Sequence, residues 1–544
     1  MTKTWVVIPA RGGSVGVPRK NLRMVLGKPL IAHTIETALK VISPSNVIVI
    51  TDDDEIQEVS EAFGAQVVRE PENATGLKTL DQVMIRHLPD LEARGASDDD
   101  LLLTMQPTCP LVTAARITEA VQAFEKGAGS VITVKDDRHL TWTVIDGQPK
   151  PLYEQRVNRQ QLPPQFRESG AIIGARISDI KKYQTRIVEP IALIELPESE
   201  SLDIDTFADL VVAEHWLTRR RIILHANAGK ALGMGHVYRT LALAQELARH
   251  EVLVVTSKEM PLGKEFFDSQ VFNHKEVSSQ EELIALAASF AADVVILDIL
   301  DTSAELVQAL KETAKVVTFE DLGKGAELAD LTVSDLYPNP SAKSQLTGVQ
   351  NAILAPSFET LARRTVIRPN VEHVLVLFGG TDPSNLADKS LRALEALGYK
   401  GRVTCVRGLG AEDLTGSYNL NLELKRNVKN MGRLMSESDL ALSSAGRTIT
   451  ELMSIGVPTI CLAQNQKELS HTHASLANGV VNLGLGETTE ISQLVAAIEE
   501  LLPKTARSEL SLRQQVAVAS RSNGEITRKI MALVYGGEPN ETHL

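Results

Sequence analysis

Two segments of this chain carry side chains that could handle a nucleoside triphosphate. Residues 6–21 read VVIPARGGSVGVPRKN, an apolar run followed by a glycine-rich loop with Arg11, Arg19 and Lys20. Residues 201–210 read SLDIDTFADL and contain Asp203 and Asp205, two positions apart. Glycine lets backbone N–H groups approach phosphate oxygens, Arg and Lys neutralise phosphate charge, and paired carboxylates bind Mg²⁺. Together the two segments predict a nucleotidyl transferase site.

Each segment alone has a plainer interpretation. The loop fits a solvated turn after a strand, and its spacing differs from a Walker loop, which needs Gly-Lys-Ser/Thr entering a helix. Asp203 and Asp205 alone fit an exposed strand end. If the segment is a strand, residues i and i+2 point to one face, so we expect the two carboxylates to project together.

A second candidate site begins at residues 227–248, NAGKALGMGHVYRTLALAQELA. Gly233 and Gly235 predict a tight turn, and His236 falls in the first turn of the following helix. A helix N-terminus disfavours the imidazolium form, so we expect a neutral histidine that could act as a general base. The alternative is a histidine that only packs against the loop.

Two later glycine turns support that site. FGGTDPSN, with Gly379 and Gly380, follows an apolar strand pattern, and SSAGRTITELMSIGVP places Gly446 at a helix entry. Backbone N–H groups at a helix start suit a diphosphate, and Glu451 could accept from both ribose hydroxyls. Alone, Glu451 fits an exposed helix residue.

Short β-branched runs alternate with helical patterns along the chain, which predicts α/β domains with mostly parallel sheets. Ligands bind at the carboxyl ends of such strands, where Arg11, Thr51, Asp52 and Gln106 fall. We predict domains at 1–219, 220–360 and 361–535, with a flexible tail at 536–544.

The composition excludes several classes of protein. With 544 residues, a net charge of −13 and 4% aromatic residues, the chain does not fit a nucleic-acid binder. Its cysteines, Cys109, Cys405 and Cys461, form no zinc or disulfide pattern. The sequence has no signal-peptide pattern and no apolar run long enough for a membrane span, so we expect a cytoplasmic protein.

The first part resembles the CMP-sialic acid synthetase family, the CMP-N-acylneuraminate cytidylyltransferases and their relatives for other nonulosonic acids. Five motifs across residues 4–215 carry the resemblance: IPARGGSVGVPRKN, VITDDDEI, LLTMQPTCPL, NRQQLPPQFRESGAI and LDIDTFADL. It implies a Rossmann-like mixed sheet, a dimer, and attack of a sugar-acid hydroxyl on the α-phosphate of CTP.

The same resemblance implies roles for individual residues. The residues expected to bind CTP are Arg11, Gly12, Gly13, Ser14, Lys20 and Asn21, with Arg11 and Lys20 also catalytic. The sugar acid would face Gln106, Arg159 and Gln160, and Mg²⁺ would bind Asp203 and Asp205. The sequence departs from the family pattern at Val15, Val112 and Ser169, and in residues 74–79, which include Lys78.

Residues 221–483 resemble the two-domain GT-B proteins, above all the UDP-sugar hydrolase of the pseudaminic acid pathway and more distantly the lipid II N-acetylglucosaminyl transferase. The matching pieces are GMGHVYR, the strand ending at Asp298, FEDL, LFGGTDPSNL and the SSAG to NQ block. By that resemblance His236 is the catalytic base. The residues expected around the UDP-sugar are Gly235, His236, Gly379, Gly380, Ser444, Gly446, Glu451, Asn465 and Gln466.

One departure leaves the second reaction open. The hydrolase has His-Tyr after its strand-end aspartate, whereas this chain has Ile299 and Leu300, which offer no hydrogen bond to water. Three hypotheses follow: a bifunctional cytidylyltransferase and UDP-amino-sugar hydrolase, a cytidylyltransferase fused to a glycosyltransferase, or an enzyme in which one half only binds a nucleotide sugar.

Overall fold

The computed structural model describes residues 2–13, 16–70, 79–229, 232–270, 272–361, 366–408, 410–414, 416–426, 428 and 430–536. Ser14, Val15 and Lys78 lie outside these residues, as does the predicted tail from residue 537 onward. The chain forms two compact units, residues 1–218 and 219–544. The domain boundaries drawn from the sequence stay predictions.

The first unit contains eleven strands and six helices among its described residues. The strands are β1 (Thr4–Pro9), β2 (Met24–Val25), β3 (Lys28–Pro29), β4 (Val47–Thr51), β5 (Gln66–Arg69), β6 (Leu101–Thr104), β7 (Ser130–Asp136), β8 (Trp142–Ile145), β9 (Gln148–Pro151), β10 (Phe166–Arg176) and β11 (Ile191–Glu195). The helices are α1 (Leu30–Leu39), α2 (Asp54–Ala62), α3 (Leu80–Ala93), α4 (Ala114–Glu125), α5 (Ile177–Tyr183) and α6 (Phe207–Thr218).

Seven of these strands form one sheet in the order β11-β7-β10-β6-β1-β4-β5. β10 runs antiparallel to β6 and β7, and the other pairs are parallel. β4 and β6 are buried along their whole length. Their unbroken runs of Val, Ile and Leu are typical of strands that are covered on both faces. The predicted mixed sheet is confirmed.

The second unit begins with a parallel sheet in the order β14-β13-β12-β15-β16-β17-β18. Its strands are β12 (Arg221–Ala226), β13 (Glu251–Ser257), β14 (His274–Val277), β15 (Val294–Asp298), β16 (Lys315–Phe319), β17 (Leu331–Ser334) and β18 (Gln345–Thr347). The helices along this stretch are α7 (Gly235–Glu246), α8 (Pro261–Asp268), α9 (Gln280–Phe290), α10 (Ala304–Lys311) and α11 (Pro356–Thr360).

A second parallel sheet follows, in the order β21-β20-β19-β22-β23-β24. Its strands are β19 (His373–Leu377), β20 (Arg402–Arg407), β21 (Asn421–Arg426), β22 (Leu440–Ser444), β23 (Thr459–Ala463) and β24 (Val480–Leu485). The helices are α12 (Leu386–Ala396), α13 (Met431–Glu437), α14 (Thr448–Ile455), α15 (Ile491–Glu500), α16 (Lys504–Ala517) and α17 (Asn523–Tyr535). Two parallel α/β sheets in tandem confirm the predicted GT-B-like architecture.

The last helix packs away from the sheet that precedes it in sequence. Ile526, Ile530 and Met531 of α17 are buried in the core of the β12 sheet, together with Val237 of α7. The apolar face of α17 is therefore covered by the earlier sheet of the same unit.

The three cysteines are buried and free, as the sequence predicts. Burial raises the pKa of each thiol above its ordinary value, so reactive thiolates are disfavoured. Among the described residues, no helix is both long and apolar enough to cross a membrane.

Candidate functional site

A cavity of about 250 Å³ lies at the carboxyl ends of β1, β4 and β6 in the first unit. The lining includes Arg11, Lys20, Asn21, Asp52 and Gln106. Parallel strands β1, β4 and β6 end side by side, so loops that are far apart in sequence meet at this edge.

The glycine-rich loop is fixed in part by the carboxylates that follow β4. The Gly12 N–H donates to Asp52 Oδ1 at 2.9 Å, and a Cβ on Gly12 would lie 2.4 Å from Asp53 Oδ2. Asn21 Nδ2 donates to the Arg11 carbonyl at 3.0 Å. The close approach of loop and strand end explains why glycine stands at position 12.

The loop's basic residues have separate partners. Arg19 pairs with Asp53 at 2.8 Å and with Glu55 at 2.7 Å, at the start of α2. Lys20 Nζ instead donates to the Ile204 carbonyl at 2.5 Å and to Asp205 Oδ1 at 3.2 Å. The cationic loop and the acidic segment therefore contact each other through Lys20.

The acidic segment is not the strand that the sequence suggested. Residues 201–205 belong to no strand, and Asp209 Oδ2 accepts the N–H groups of Asp205 and Thr206 at 3.0 and 2.7 Å. The two carboxylates consequently differ in environment, since the Asp205 side chain is 74% exposed whereas Asp203 Oδ1 is buried without a partner. Burial raises the pKa of Asp203.

The predicted sugar-acid residues are not all brought together. Gln106 lines the cavity, and a Cβ on Gly170 would lie 2.8 Å from Gln106 Nε2, so glycine there (φ 75°) makes room for the amide. Arg159 and Gln160 lie in an exposed 3-10 turn outside the cavity lining. Val112 is buried in the hydrophobic core.

Sequence reasoning missed Glu70, which also lines the cavity. Its buried carboxylate pairs with Arg86 at 2.5 Å and with His87 at 2.8 Å. The position after the short strand β5 was the available signal, because that strand's carboxyl end lies at the same edge as the loop.

In the second unit, His236 lies in the first turn of α7, as predicted, and is the second residue of that helix. Its Nδ1 lies 2.6 Å from Asp298 Oδ1, at the end of β15. Asp298 also accepts from Arg239 Nε at 2.7 Å and from Nη2 at 2.5 Å. Although burial opposes ionisation, Arg239 and His236 hold the pKa of Asp298 below its ordinary value.

This arrangement assigns a tautomer to His236. An ionised Asp298 can only accept, so Nδ1 carries the proton and the Nε2 of a neutral imidazole is left to accept one. The histidine and the strand-end aspartate were predicted from the sequence, but their contact and Arg239 were not. A signal existed, since Arg239 is three positions after His236 on one helix face.

The glycines of this unit mark close approaches. A Cβ on Gly235 would lie 2.9 Å from Arg447 Cδ, and one on Gly380 would lie 2.6 Å from Met234 Cγ. Gly379 adopts φ 67°. The turn before α7, the turn after β19 and the start of α14 therefore converge.

Three of the predicted UDP-sugar residues lie between the end of β22 and the first turn of α14. Ser444 is buried at the end of β22, and Gly446 precedes α14. Glu451 is half-buried in the first turn of α14, and burial raises its pKa to about 7. Burial and the charge of Glu451 in turn raise the pKa of Tyr238 on α7.

Asn465 and Gln466 are exposed in the turn after β23. Asn465 Oδ1 accepts the Glu468 N–H at 3.0 Å, and Glu468 Oε2 accepts the Gln464 N–H at 2.8 Å. After β15, Leu300 is half-buried and its carbonyl accepts the Leu322 N–H at 2.9 Å. No group of three or more His, Cys, Asp and Glu side chains suited to a metal occurs in the described part of the chain.

Comparison with known proteins identifies the first unit. Residues 5–145 match the cytidylyltransferase family. The CMP-N,N'-diacetyllegionaminic acid synthase of Legionella pneumophila is 33% identical over 219 residues, which are 38% of this chain and 93% of that protein. The chain belongs to the cytidylyltransferase family. The family resemblance read from the motifs is confirmed.

A second family model matches within the second unit of this cytidylyltransferase. Residues 374–525 match the glycosyltransferase family 28 C-terminal domain. The spore coat polysaccharide biosynthesis protein SpsG of Bacillus subtilis is 25% identical over 312 residues, 51% of this chain and 88% of that protein. An uncharacterized protein, MJ1062, of Methanocaldococcus jannaschii is 26% identical over 289 residues, 46% of this chain. The chain spans 60% of the length of that last relative.

Proposed function

We propose that the first unit transfers a cytidylyl group from CTP to the anomeric hydroxyl of a nonulosonic acid and releases pyrophosphate. The observation that carries this proposal is the contact of Lys20 with Asp205 beside a cavity lined by Arg11 and Gln106. Cations that line a strand-end cavity, with a carboxylate in contact with one of them, are what a triphosphate with its metal ion requires.

The side chains divide the work by charge. Arg11 is exposed at the cavity and can take a phosphate oxygen through its planar guanidinium. Lys20 is held by Asp205 and the Ile204 carbonyl, and a phosphate in the cavity would compete for its ammonium. Gln106, fixed against Gly170, can hydrogen-bond a sugar hydroxyl or carboxylate.

Asp203 and Asp205 fit a Mg²⁺ ion. Asp203 Oδ1 is buried and unpartnered among the described residues, so it would be available as a ligand oxygen. Two carboxylates suffice where nucleotide phosphates complete the coordination sphere. The ion would neutralise phosphate charge in the transition state.

The test is incubation of the protein with CTP, Mg²⁺ and a panel of sialic, legionaminic and pseudaminic acids, with mass spectrometry of the products. A CMP-sugar from one acid, with equimolar pyrophosphate, is expected. Absence of every CMP-sugar while CTP binds would overturn the proposal.

We propose that the second unit acts on a UDP-amino sugar with His236 as general base. Asp298 orients the imidazole and stabilises the imidazolium that forms when Nε2 takes a proton. Gly446 and Glu451 would bind the diphosphate and ribose. The hydroxyl attacking the anomeric carbon would come from water, which makes the unit a hydrolase.

Glycosyl transfer is the second candidate, favoured by two observations. Leu300 cannot orient a water molecule, and residues 374–525 match a glycosyltransferase family. Turnover of UDP-amino sugars in ¹⁸O-labelled water separates the two reactions. Hydrolysis predicts UDP and a free sugar labelled at the anomeric carbon, whereas transfer predicts slow UDP release that an acceptor accelerates. Binding of UDP-sugars without any UDP release would leave only a binding function.

A further inference from the structure

A cluster of five charged side chains lies behind His236 in the second unit. Its members are Arg239, Asp298, Glu320, Asp335 and Arg447. The side chains of the three acids and of Arg239 are at most 2% exposed, and that of Arg447 is 15% exposed. Charges buried to this degree need partners for each of their polar atoms.

The hydrogen bonds that the two arginines donate to oxygen atoms have particular acceptors. Arg239 gives Nε and Nη2 to Asp298, and its Nη1 lies 3.2 Å from Glu320 Oε1 and 3.3 Å from Asp335 Oδ1. Arg447 Nη1 also lies 3.3 Å from Asp335 Oδ1, and its Nη2 donates to the Ile353 carbonyl at 2.6 Å. None of these donors reaches the second oxygen of Glu320 or of Asp335.

Those two oxygens, Glu320 Oε2 and Asp335 Oδ2, are buried and have no partner in the described part of the chain. Two neighbouring ionised carboxylates cannot satisfy each other, since both only accept. A single proton relieves this conflict, because a protonated carboxyl can donate to its neighbour, and Glu320 and Asp335 are neighbours through Arg239 Nη1 and the Asp335 N–H. With that proton, the three acids carry two negative charges and match the two guanidinium groups.

We propose that the carboxyl groups of Glu320 and Asp335 share one proton, with Glu320 as the neutral member, and that Glu320 is a positioning residue for His236. The second part of this proposal rests on the proposed function of His236.

The surroundings decide which acid keeps the proton. Asp335 faces both arginines, whereas Glu320 Oε1 faces Arg239 and the Asp335 N–H, which donates to it at 2.9 Å. Burial, the charge of Asp335 and a hydrogen bond to Asp335 raise the pKa of Glu320 well above its ordinary value. Burial opposes ionisation of Asp335 too, but Arg447, Glu320 and Arg239 hold the pKa of Asp335 below its ordinary value.

The backbone holds Glu320 in this position. Glu320 has φ 51°, a left-handed conformation that favours glycine, directly after β16. The Glu320 N–H donates to the Val333 carbonyl at 2.9 Å, and the Glu320 carbonyl accepts from the Tyr337 hydroxyl at 2.6 Å. A side chain kept at a strained backbone position by surrounding contacts is typical of functional sites.

The other titratable groups near the pair do not supply the missing charge balance. They are Asp301, Tyr337, Lys467, His471 and His473. Burial lowers the pKa of His471, and that of His473 to about 4, so both are neutral at neutral pH. Lys467 is half-buried with its ammonium 5.7 Å from the centre of the Tyr337 ring, and Asp301 is exposed.

The shared proton keeps Arg239 directed at Asp298. A neutral Glu320 takes only one long contact from Arg239 Nη1, so Nε and Nη2 remain on Asp298, and Asp298 remains on His236 Nδ1. Ionised Glu320 would add a third negative charge beside Arg239 and Asp335. That charge would draw the guanidinium away from Asp298 and stabilise an imidazolium at His236.

Infrared difference spectroscopy of the full chain tests the shared proton without any substrate. The spectrum of the parent minus that of Glu320→Gln at neutral pH should contain the carbonyl stretch of a protonated carboxylic acid, and this band should shift in D₂O. Absence of the band overturns the proposal. A band that persists in Glu320→Gln and disappears in Asp335→Asn would place the proton on Asp335 and overturn the assignment.

Matched variants test the positioning role. The amide of Glu320→Gln can still donate to Asp335, so the rate of UDP release should stay within about threefold of the parent. A change of that size corresponds to the spread in the free energies that neutral hydrogen bonds contribute. Glu320→Ala should lower kcat on the order of tenfold with little change in KM, the scale of a group that orients another from behind. Equal kcat in Glu320→Ala and the parent would overturn the role.

Thermal unfolding against pH gives a readout independent of turnover. Because the folded pKa of Glu320 lies above its unfolded value, the stability that the proton contributes is lost as pH rises through the folded pKa. The thermal unfolding midpoint of the parent should therefore decrease as pH rises through the folded pKa of Glu320. The midpoint of Glu320→Gln should not show this decrease. Identical profiles would overturn the shared proton, and a parent without UDP-sugar turnover would contradict only the proposed function of His236.

Discussion

Lys20 Nζ lies 3.2 Å from Asp205 Oδ1, although 185 positions separate the two residues in the sequence. The contact joins the loop after β1 to the segment before α6. It also means that the lysine proposed for the triphosphate is held by the carboxylate proposed for the metal ion. Each of these two groups can therefore respond to a ligand that engages the other.

Replacement of Asp205 should remove the first activity. Asp205→Ala takes away a metal ligand and the partner of Lys20, and we expect Mg²⁺-dependent pyrophosphate release to fall by about 10²–10³-fold, the scale of one lost preorganised electrostatic contact. A coupled pyrophosphate assay measures this loss. Asp146→Asn is the matched control, because Asp146 is exposed in a turn at φ 53°, which asparagine tolerates. Undiminished turnover in Asp205→Ala would remove this residue from the metal site.

His236→Ala should abolish UDP release from a UDP-amino sugar and leave CTP turnover unchanged. Without the imidazole, no neutral base is aligned by Asp298, and triad precedents predict a loss of about 10³–10⁴-fold. UDP release and pyrophosphate release, measured on the same preparation, report the two units separately. Equal UDP release from variant and parent would exclude His236 from the chemistry.

Binding of UDP should depend on pH through Glu451. Burial raises its pKa to about 7, and only the ionised carboxylate would accept from both ribose hydroxyls. Affinity should therefore rise as pH increases from about 6 to about 8 and weaken by up to tenfold per unit below the pKa. Isothermal titration calorimetry of the parent and Glu451→Gln measures this, and an unchanged pH dependence in the variant would contradict the assignment.

Gly235→Ala should disturb the start of α7. The new Cβ would lie 2.9 Å from Arg447 Cδ, and Arg447 is anchored on Asp335 and the Ile353 carbonyl. We expect a loss of about 1–3 kcal/mol of stability, typical of overpacking, and weaker UDP binding. Gly229→Ala is the control, since its Cβ would meet nothing within 4 Å. A thermal shift that is equal for the two variants would contradict the steric explanation.

The sequence predicted most of the fold because parallel strands buried on both faces leave unbroken apolar runs. Such apolar runs coincide with strands β1, β4, β6 and β15. It failed at residues 201–205, where the i, i+2 spacing of Asp203 and Asp205 suggested a strand. There the N–H groups of Asp205 and Thr206 bond to Asp209 instead of to a neighbouring strand.

The sequence by itself determined the cytidylyltransferase family, the two kinds of sheet, the strand ends that Arg11 and Gln106 follow, and the helix start that carries His236. Only the tertiary structure decided that Arg239 and His236 share Asp298, and that Glu320 lies against Asp335. His236 and Asp298 are 62 positions apart, and Glu320 and Asp335 are 15 apart on neighbouring strand ends. Local spacing fixes which residues face one way on a helix or strand, but the ionisation of a buried group depends on charges that packing brings to it.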